Sequence, residues 1–345
     1  MNKQVITLAV KIGMFFAPVL FLAVVYLIWD PFKVLYNYES FYKSGDPLYI
    51  ILNRDYVSTE TFLHNYPTHK YDSFIFGSSC AIFFEIKDWE RAIGPKNCFH
   101  FDASDESIYG IYKKINYLAV RNITIRNALI VLDEGTLQNT GDSRGHLIMK
   151  HPILSGRDRY AFQSEYVKSF FDFDFLEGLL LYKLPDGEKK YKEALFENPP
   201  MDYDVRSNEI KFSVFEKMIQ TNSEEYYGRH RRAFYRRDTI QHVSGSAIHS
   251  EQKWMLNEIF KMLRSAGADY RIVISPLYDQ LKFNPEDLDF LMKTFGSERV
   301  FDYSGINQLT NDLYNYYETH HYRPHVARWI IDEMYQEARA KSGRK

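Results

Sequence analysis

Two short motifs near opposite ends of the chain contain the residue types of an activated-serine site. The first is YDSFIFGSS at positions 71–79, where an apolar run leads into a small-residue turn with two serines. The second is NYYETHHY at positions 315–322, where Glu318 stands three residues before His321. A hydroxyl, an imidazole and a carboxylate are the groups from which proteins build a nucleophilic serine. The elements between the two motifs decide whether these groups can meet.

Each motif also has a simpler explanation when it is taken alone. A serine after a strand often caps the next helix, and Glu318 and His321 fit a polar surface loop. His320 is an adjacent imidazole and competes with His321 for any role as a base. His321 and His325 have a spacing that metal sites use, but Pro324 interrupts a regular helix between them. We therefore expect no metal and no other cofactor.

Strand-like apolar runs alternate with helical periodicity between the two motifs. The predicted strands are Ser73–Gly77, Asn97–Asp102, Ala128–Leu132, Arg271–Ser275 and Val300–Tyr303. The predicted helices include part of Ala81–Ile93, Ser107–Val120, Ser250–Ala266, a segment that begins at Asn284 or Pro285 and stops before Gly296, and segments at about 307–317 and 325–340. This alternation predicts a flavodoxin-like α/β fold, with a parallel sheet of about five strands and helices on both faces.

In such a sheet the functional site lies beyond the carboxyl ends of the strands. The Gly77-Ser78-Ser79 turn follows one predicted strand end, and Asp133 and Pro276 follow two others. The same edge of the sheet is therefore expected to gather these residues.

The chain divides by composition into an anchor at 1–30, a juxtamembrane segment at 31–70 and an α/β domain at 71–345. The juxtamembrane segment is polar and aromatic, shows no sustained period and is expected to pack on the body. Residues 136–245 interrupt the alternation and show no clear strand. We interpret them as an insertion with helices at Leu176–Leu184 and Glu209–Gln220.

The amino-terminal segment is long and apolar enough for a membrane span. Ile12–Trp29 contains 18 residues without a charge, which is enough to cross a hydrocarbon core. Tyr26 and Trp29 lie where an interfacial aromatic belt would be. A cleavable signal peptide is the alternative, but no small-residue cleavage site follows. We expect an uncleaved single-pass helix in the inner (cytoplasmic) membrane. The short tail before a long body favours a periplasmic or extracytoplasmic body.

The charge balance excludes one class of partner. The net charge is -2, so no basic surplus indicates nucleic acid. A local basic and aromatic cluster at 229–237 includes Arg231 and Arg232; it is either a solvated loop or a contact for an acidic glycan or anionic headgroups. Cys80 and Cys98 fall at opposite ends of adjacent parallel strands, so we expect two free, mostly buried thiols.

The joint pattern resembles the SGNH, or GDSL-like, hydrolase superfamily. The FGSS turn at 76–79 and the ETHH motif at 318–321 correspond to the family's Gly-Asp-Ser or Gly-Ser-Ser turn and its late Asp-x-x-His. The resemblance covers residues from about 70 to the end, except for the insertion. It implies Ser79 as the nucleophile, His321 as the base and Glu318 as the acidic member.

Two positions depart from the family pattern. The acidic residue is Glu318 rather than an aspartate, which lengthens the arm by one methylene. The glycine and asparagine that usually complete the oxyanion hole have no clear counterpart in the segments DASD at 102–105 and DEG at 133–135.

A closer resemblance is to membrane-anchored SGNH-like proteins that modify cell-envelope polymers, such as alginate acetylation proteins and the D-alanyl transfer protein of teichoic acids. It implies an extracytoplasmic serine acyltransferase or esterase that acts on O-acyl groups of a cell-surface polysaccharide, beside a membrane-bound O-acyltransferase partner. Ser78, Asp133, Arg231 and Arg232 are the candidate substrate-binding residues. The alternative is a non-catalytic binding or scaffold protein in a polysaccharide modification or assembly complex.

Overall fold

The computed structural model describes residues 3–43, 50–183 and 201–342. Residues 44–49 of the juxtamembrane segment and 184–200 of the insertion, including the predicted helix end at Leu184, lie outside the described residues.

The centre of the body is a five-stranded parallel sheet. Its strands are β1 (Ser73–Gly77), β2 (Cys98–His100), β3 (Asn127–Leu132), β6 (Asp269–Ile274) and β7 (Val300–Asp302). They are ordered β2-β1-β3-β6-β7, and every neighbouring pair is parallel. This is the flavodoxin-like order, which reverses direction between β1 and β3. The predicted fold class is confirmed.

Helices cover both faces of the sheet. The helices are α1 (Lys3–Trp29), α2 (Arg54–His69), α3 (Ile86–Ile93), α4 (Ile108–Val120), α5 (Glu134–Gln138), α6 (Pro152–Ser155), α7 (Arg159–Phe170), α8 (Phe173–Lys183), α9 (Ser213–Thr221), α10 (Ser223–Arg229), α11 (Ser250–Ser265), α12 (Pro285–Phe295), α13 (Gln308–Asn311) and α14 (Pro324–Ser342). Alternate β1 side chains enter different cores because strand side chains alternate between faces. Phe74 and Phe76 pack with α2, α4, α11 and α12, whereas Ile75 packs with α3 and α14.

Helix α1 extends from the body, and its first five or more turns are exposed. Gln4–Trp29 is long and apolar enough to cross a membrane. Among the described residues it is the one helix that meets this description.

Four local predictions are corrected by the structure. Helix α2 lies in the segment where the sequence shows no sustained period, because several residues that face the core are polar, including Arg54, Asp55 and Thr61. The predicted helix Glu209–Gln220 begins only at Ser213.

A hairpin of β4 (Asp202–Asp204) and β5 (Glu209–Lys211) precedes α9, within the insertion that showed no clear strand. Asn208 closes the hairpin turn in the left-handed region, with φ 62°, a conformation that asparagine tolerates.

The predicted helix 307–317 is the fourth correction. Helix α13 ends at Asn311, a 3-10 turn covers Leu313–Asn315, and a second hairpin follows, formed by β8 (Tyr316–Glu318) and β9 (His321–Tyr322). Asp312 adopts extended backbone and caps the 3-10 turn, so the α-helix cannot continue through it.

Candidate active site

Gly77 sets the position of both serines at the end of β1. Its φ is 148°, a backbone conformation that residues with a Cβ rarely adopt. A Cβ there would lie 2.6 Å from the carbonyl oxygen of Val131 on the neighbouring strand. The chain turns at this glycine and enters a 3-10 helix, Ser79–Phe83, whose first N–H groups have no partner within the helix.

The β8–β9 hairpin presents the base and the carboxylate together. Glu318 and His321 flank a two-residue turn, so their side chains emerge from paired positions. Cross-strand pairing in the hairpin brings the two side chains close together.

Tyrosine hydroxyls fix this hairpin against the body. Tyr316 donates to the carbonyl oxygen of Pro276 at 2.8 Å, and Tyr227 of α10 donates to the carbonyl oxygen of Tyr316 at 2.9 Å. Tyr322 donates to the carbonyl oxygen of Cys80 at 3.0 Å. Since Cys80 follows Ser79, this last bond joins the hairpin directly to the serine turn.

Ser79, His321 and Glu318 form one continuous chain of hydrogen bonds. His321 Nε2 lies 2.8 Å from Ser79 Oγ. His321 Nδ1 is hydrogen-bonded to Glu318 Oε1 on its other side. All three residues are half-buried, so the site is open to a substrate while its groups remain ordered. The structure thus brings together the three residues that the resemblance selected.

The neighbouring groups distinguish His321 from its competitor. The His320 side chain is 83% exposed, and its ring faces Glu318 Oε2 at 3.2 Å. The His320 N–H also donates to Glu318 Oε2 at 2.7 Å, which fixes the carboxylate and leaves Oε1 for His321. The longer arm of glutamate therefore spans the two-residue turn.

The ionisation of Glu318 suits this arrangement. Burial raises the pKa of the Glu318 carboxyl, but the hydrogen bond and charge of His321, with the N–H of His320, outweigh burial and hold it below its usual value. An ionised Glu318 accepts a hydrogen bond from the Nδ1–H of His321. This leaves Nε2 of His321 to accept a hydrogen bond from the Ser79 hydroxyl. Burial raises the pKa of the adjacent Cys80 thiol well above its ordinary value, so Cys80 is not a competing thiolate.

Ser78 and Asp133 connect the two strands at the point where the sheet order reverses. Ser78 Oγ donates to Asp133 Oδ2 at 3.2 Å. Asp133 Oδ1 accepts from the N–H of Thr136 at 2.7 Å and caps α5. Asp133 also lines a cavity of about 140 Å³ beyond the ends of β3 and β6. A role for both residues in substrate binding stays a prediction.

The first residues after β2 and β3 offer few donors for an oxyanion. The N–H of Ala103, after β2, already donates to the carbonyl oxygen of Gly77 at 3.2 Å. Asp133 stands after β3 and its carboxylate has no proton-bearing nitrogen to donate. The N–H groups at the start of the Ser79 helix are therefore the available donors at this turn.

Arg231 and Arg232 are exposed in the turn after α10. Within the contacts of the described residues, neither is linked to Ser79, His321 or Glu318. The arginine of this cluster that docks on the body is Arg237, whose guanidinium donates to the carbonyl oxygen of Tyr278 at 3.1 Å and lies 4.1 Å from that ring. The contact of Arg231 and Arg232 with substrate stays a prediction.

His325 does not converge with His321. Its Nε2 contacts Asn315 Oδ1 at 2.8 Å, whereas both ring nitrogens of His321 are engaged within the Ser79 site. The described residues contain no group of three or more metal-ligating side chains that could hold an ion.

Cys80 and Cys98 are both free and buried. The prediction of two unpaired thiols is confirmed.

A buried ion cluster of Asp55, Glu106, Lys114 and Lys150 lies beside β2 and was missed by sequence reasoning. Lys114 Nζ lies 2.5 Å from Glu106 Oε2 and 3.1 Å from Asp55 Oδ2, and Lys150 Nζ lies 2.6 Å from Glu106 Oε1. The available signal was Lys114 itself, a charge on the otherwise apolar face of α4.

Arg54 extends this polar interior toward the strand end. Its guanidinium binds both carboxylate oxygens of Asp102 at 2.8 and 2.9 Å and the side chain of Asn208 at 2.9 Å. Helix α2 is thereby tied to the carboxyl end of β2 and to the insertion hairpin.

No family model matches this chain, and no curated protein matches it at a significant level.

Proposed function

We propose that this protein is a membrane-anchored serine acyltransferase or esterase of the SGNH type, acting on O-acyl groups of a cell-surface polysaccharide. The observation that carries the proposal is the Ser79–His321–Glu318 hydrogen-bond chain, with Ser79 Oγ 2.8 Å from His321 Nε2. Its position beyond the carboxyl end of β1, in a flavodoxin-like sheet, is where such a site is expected.

The proposed reaction proceeds in two balanced steps. His321 Nε2 accepts the hydroxyl proton as Ser79 Oγ attacks the acyl carbonyl carbon, and the same proton is returned to the departing alkoxide oxygen. An acyl-Ser79 ester remains. A water molecule or a glycan hydroxyl then gives its proton to His321 Nε2 as its oxygen attacks the acyl carbon. The bond between the acyl carbon and Ser79 Oγ breaks, the acyl group leaves on the water or glycan oxygen, and His321 returns the proton to Ser79 Oγ. Glu318 stabilises the charged imidazolium in both steps.

The location and the partner are part of the same proposal. The body is proposed to lie on the periplasmic or extracytoplasmic side of the inner membrane, as the resemblance to envelope-modifying proteins implies. A membrane-bound O-acyltransferase supplies acyl groups, as the resemblance implies. Intact-mass measurement of membrane-purified protein tests the anchor; a mature chain starting after Trp29 would contradict it.

A scaffold function is the second candidate, and one observation favours it. The N–H of Ala103 is already bonded to Gly77, and the Asp133 side chain is a carboxylate, so neither of these two groups supplies the oxyanion donors that an efficient acyl transfer enzyme uses. A serine site with few donors stabilises the tetrahedral intermediate weakly.

The Ser79→Ala variant tests the enzyme proposal. Removal of a nucleophile costs on the order of 10³-fold or more in turnover, measured with a small acetyl ester and by the acetyl content of the surface glycan. Covalent labelling by a fluorophosphonate probe should be lost at the same time.

Ser78→Ala is the matched control, because it removes the neighbouring hydroxyl and should keep labelling and most of the turnover. If Ser79→Ala equals the wild-type protein in both assays, or if the wild-type protein does not label, the scaffold function replaces the enzyme.

A further inference from the structure

The carboxyl-terminal end of α1 packs against the body. Leu22 and Val25 pack against an apolar cluster in which Tyr26 is buried. The Tyr26 ring lies 5.1 Å from Phe170 at the end of α7, and Phe175 of α8 belongs to the same cluster. Helices α7 and α8 of the insertion therefore contact α1 along its last two turns.

The length of α1 places these contacts at membrane depth. Ile12–Trp29 spans roughly 27 Å at about 1.5 Å per residue, close to the roughly 30 Å of a hydrocarbon core. With Trp29 at the boundary, Leu22 lies roughly 10 Å inside it. Moving the bilayer toward the amino terminus brings Lys11 into hydrocarbon, which costs up to about 3 kcal/mol at the bilayer centre. Even a span that begins at Lys3 reaches Leu22.

Helices α7 and α8 also carry exposed apolar side chains. Phe173, the first residue of α8, is 76% exposed, and Val167 of α7 is exposed beyond one third. Asp172, Asp174 and Glu177 lie beside them on the chain. These carboxylates favour the headgroup region over the hydrocarbon.

We propose that α7 and α8 lie in the interfacial layer of the bilayer that α1 crosses, with Phe173 inserted among the lipids. Their continuity with the carboxyl-terminal end of α1 identifies the bilayer as the occupant of this surface. The insertion then seats the body on the membrane, and the attachment is two-sited rather than a single flexible tether. The proposal rests on α1 spanning a membrane and does not depend on catalysis.

This seating also orients the sheet. Tyr56, near the start of α2, stacks on Phe162 of α7 at 5.6 Å. Arg54, two residues before Tyr56 on the same helix, binds Asp102 just beyond the carboxyl end of β2. The apolar cluster around Tyr26 and Phe170 is thus connected, through α2, to the sheet edge that carries Ser79. Val120 ends α4, which runs back from that edge toward the start of β3, so it marks the opposite edge.

Fluorescence of single-cysteine labels on the full chain in phosphatidylcholine nanodiscs tests the seating. Phe173→Cys and Val167→Cys receive an environment-sensitive dye, with Phe16→Cys as the membrane reference and Val120→Cys as the exposed control. Cys80 and Cys98 are buried, so unsubstituted protein measures background labelling. Doxyl-labelled lipid should quench the dye at positions 173 and 167 strongly and the dye at 120 not at all.

Quenching at Phe173 and Val167 no greater than at Val120 would overturn the seating while Phe16 remains quenched. Loss of quenching at Phe16 as well would remove the spanning helix and the proposal with it. Energy transfer to a lipid acceptor tests the orientation, using a dye at Ser104, exposed after β2. Ser104 should transfer more than Val120, and the reverse order would overturn the orientation.

Discussion

The carboxyl edge of the sheet carries two polar groups of opposite design. In the buried ion cluster, the side chains of Lys114 and Glu106 have no solvent exposure. In the serine site, the side chains of His321 and Glu318 are 34% and 31% exposed. The first pairs two lysines with two carboxylates, and the second holds an imidazole between a carboxylate and a serine hydroxyl. The difference separates residues that hold the shape of the edge from residues that can exchange protons with a substrate.

The ion cluster is internally balanced, which explains how it tolerates burial. Burial raises the pKa of Asp55, but the charges of Lys114 and Lys150 outweigh it and hold the pKa below its usual value. A buried pair contributes little net stability, but removing one partner leaves an uncompensated charge. The comparison therefore predicts stability effects in the cluster and activity effects in the serine site.

Lys114→Met should give the largest change in stability. It leaves Asp55 and Glu106 buried beside one lysine, and breaking a buried pair costs about 3–5 kcal/mol. Urea unfolding of detergent-solubilised protein measures the loss. Lys113→Met is the matched control, since Lys113 is partly exposed on the same helix and should change little. Equal stability of the two variants would mean that the cluster does not hold the edge.

Glu318→Gln should affect activity with little loss of stability. The amide keeps the shape but cannot stabilise the imidazolium, and loss of the acidic member is about 10-fold to 100-fold milder than loss of the nucleophile. Initial rates on the acetyl ester measure this effect. A loss as large as that of Ser79→Ala would give Glu318 more than an orienting role.

Ser78→Ala should have a smaller effect on both properties. It removes the hydrogen bond to Asp133, which is worth about 0.5–1.5 kcal/mol, and leaves the Ser79–His321 contact in place. Thermal unfolding and ester turnover are measured on the same preparation. A large loss of turnover without a change in unfolding would place Ser78 in contact with substrate.

The smallest expected effect is a pH dependence of stability from Glu318. Its pKa is lower in the folded protein than its ordinary value, so the folded state favours the ionised form. The resulting stability is present above the ordinary glutamate pKa and is lost as pH falls through the lower folded value. Unfolding of wild-type protein and Glu318→Gln should therefore converge in acid. A constant difference between the two across acid pH would contradict this linkage.

The sequence predicted the sheet well because its strands are apolar runs ended by marked turns. The bounds of β1 agree with the prediction at both ends, since Gly77 closes the strand. The pairing of Ser79 with His321 was implied by the family resemblance, whereas the hairpin that positions His321 was not predicted. Their catalytic roles remain predictions.

Other elements could not be predicted from the sequence, because polar side chains occupy some of their buried positions. Helix α2 buries Arg54, Asp55 and Thr61, so an apolar period could not reveal it. The partners of Arg54 and Asp55 are distant in sequence, and their pairing depends on tertiary contacts. Tyr316 and Tyr317 fit a strand as well as a helix, and the docking of their hairpin decides between the two.

Ser79 and His321 are 242 positions apart in the sequence. Their contact therefore forms only when the chain between them has folded. Glu318 and His321 are neighbours through a two-residue turn, so their pairing requires only local structure. The serine contact requires a long loop to close, at an entropic cost that only the finished tertiary structure offsets. A serine-directed probe would therefore report how much of a preparation has folded, independently of secondary-structure content. In a pulse-labelling experiment, probe reactivity should appear only after the carboxyl-terminal hairpin and α14 have docked on the sheet.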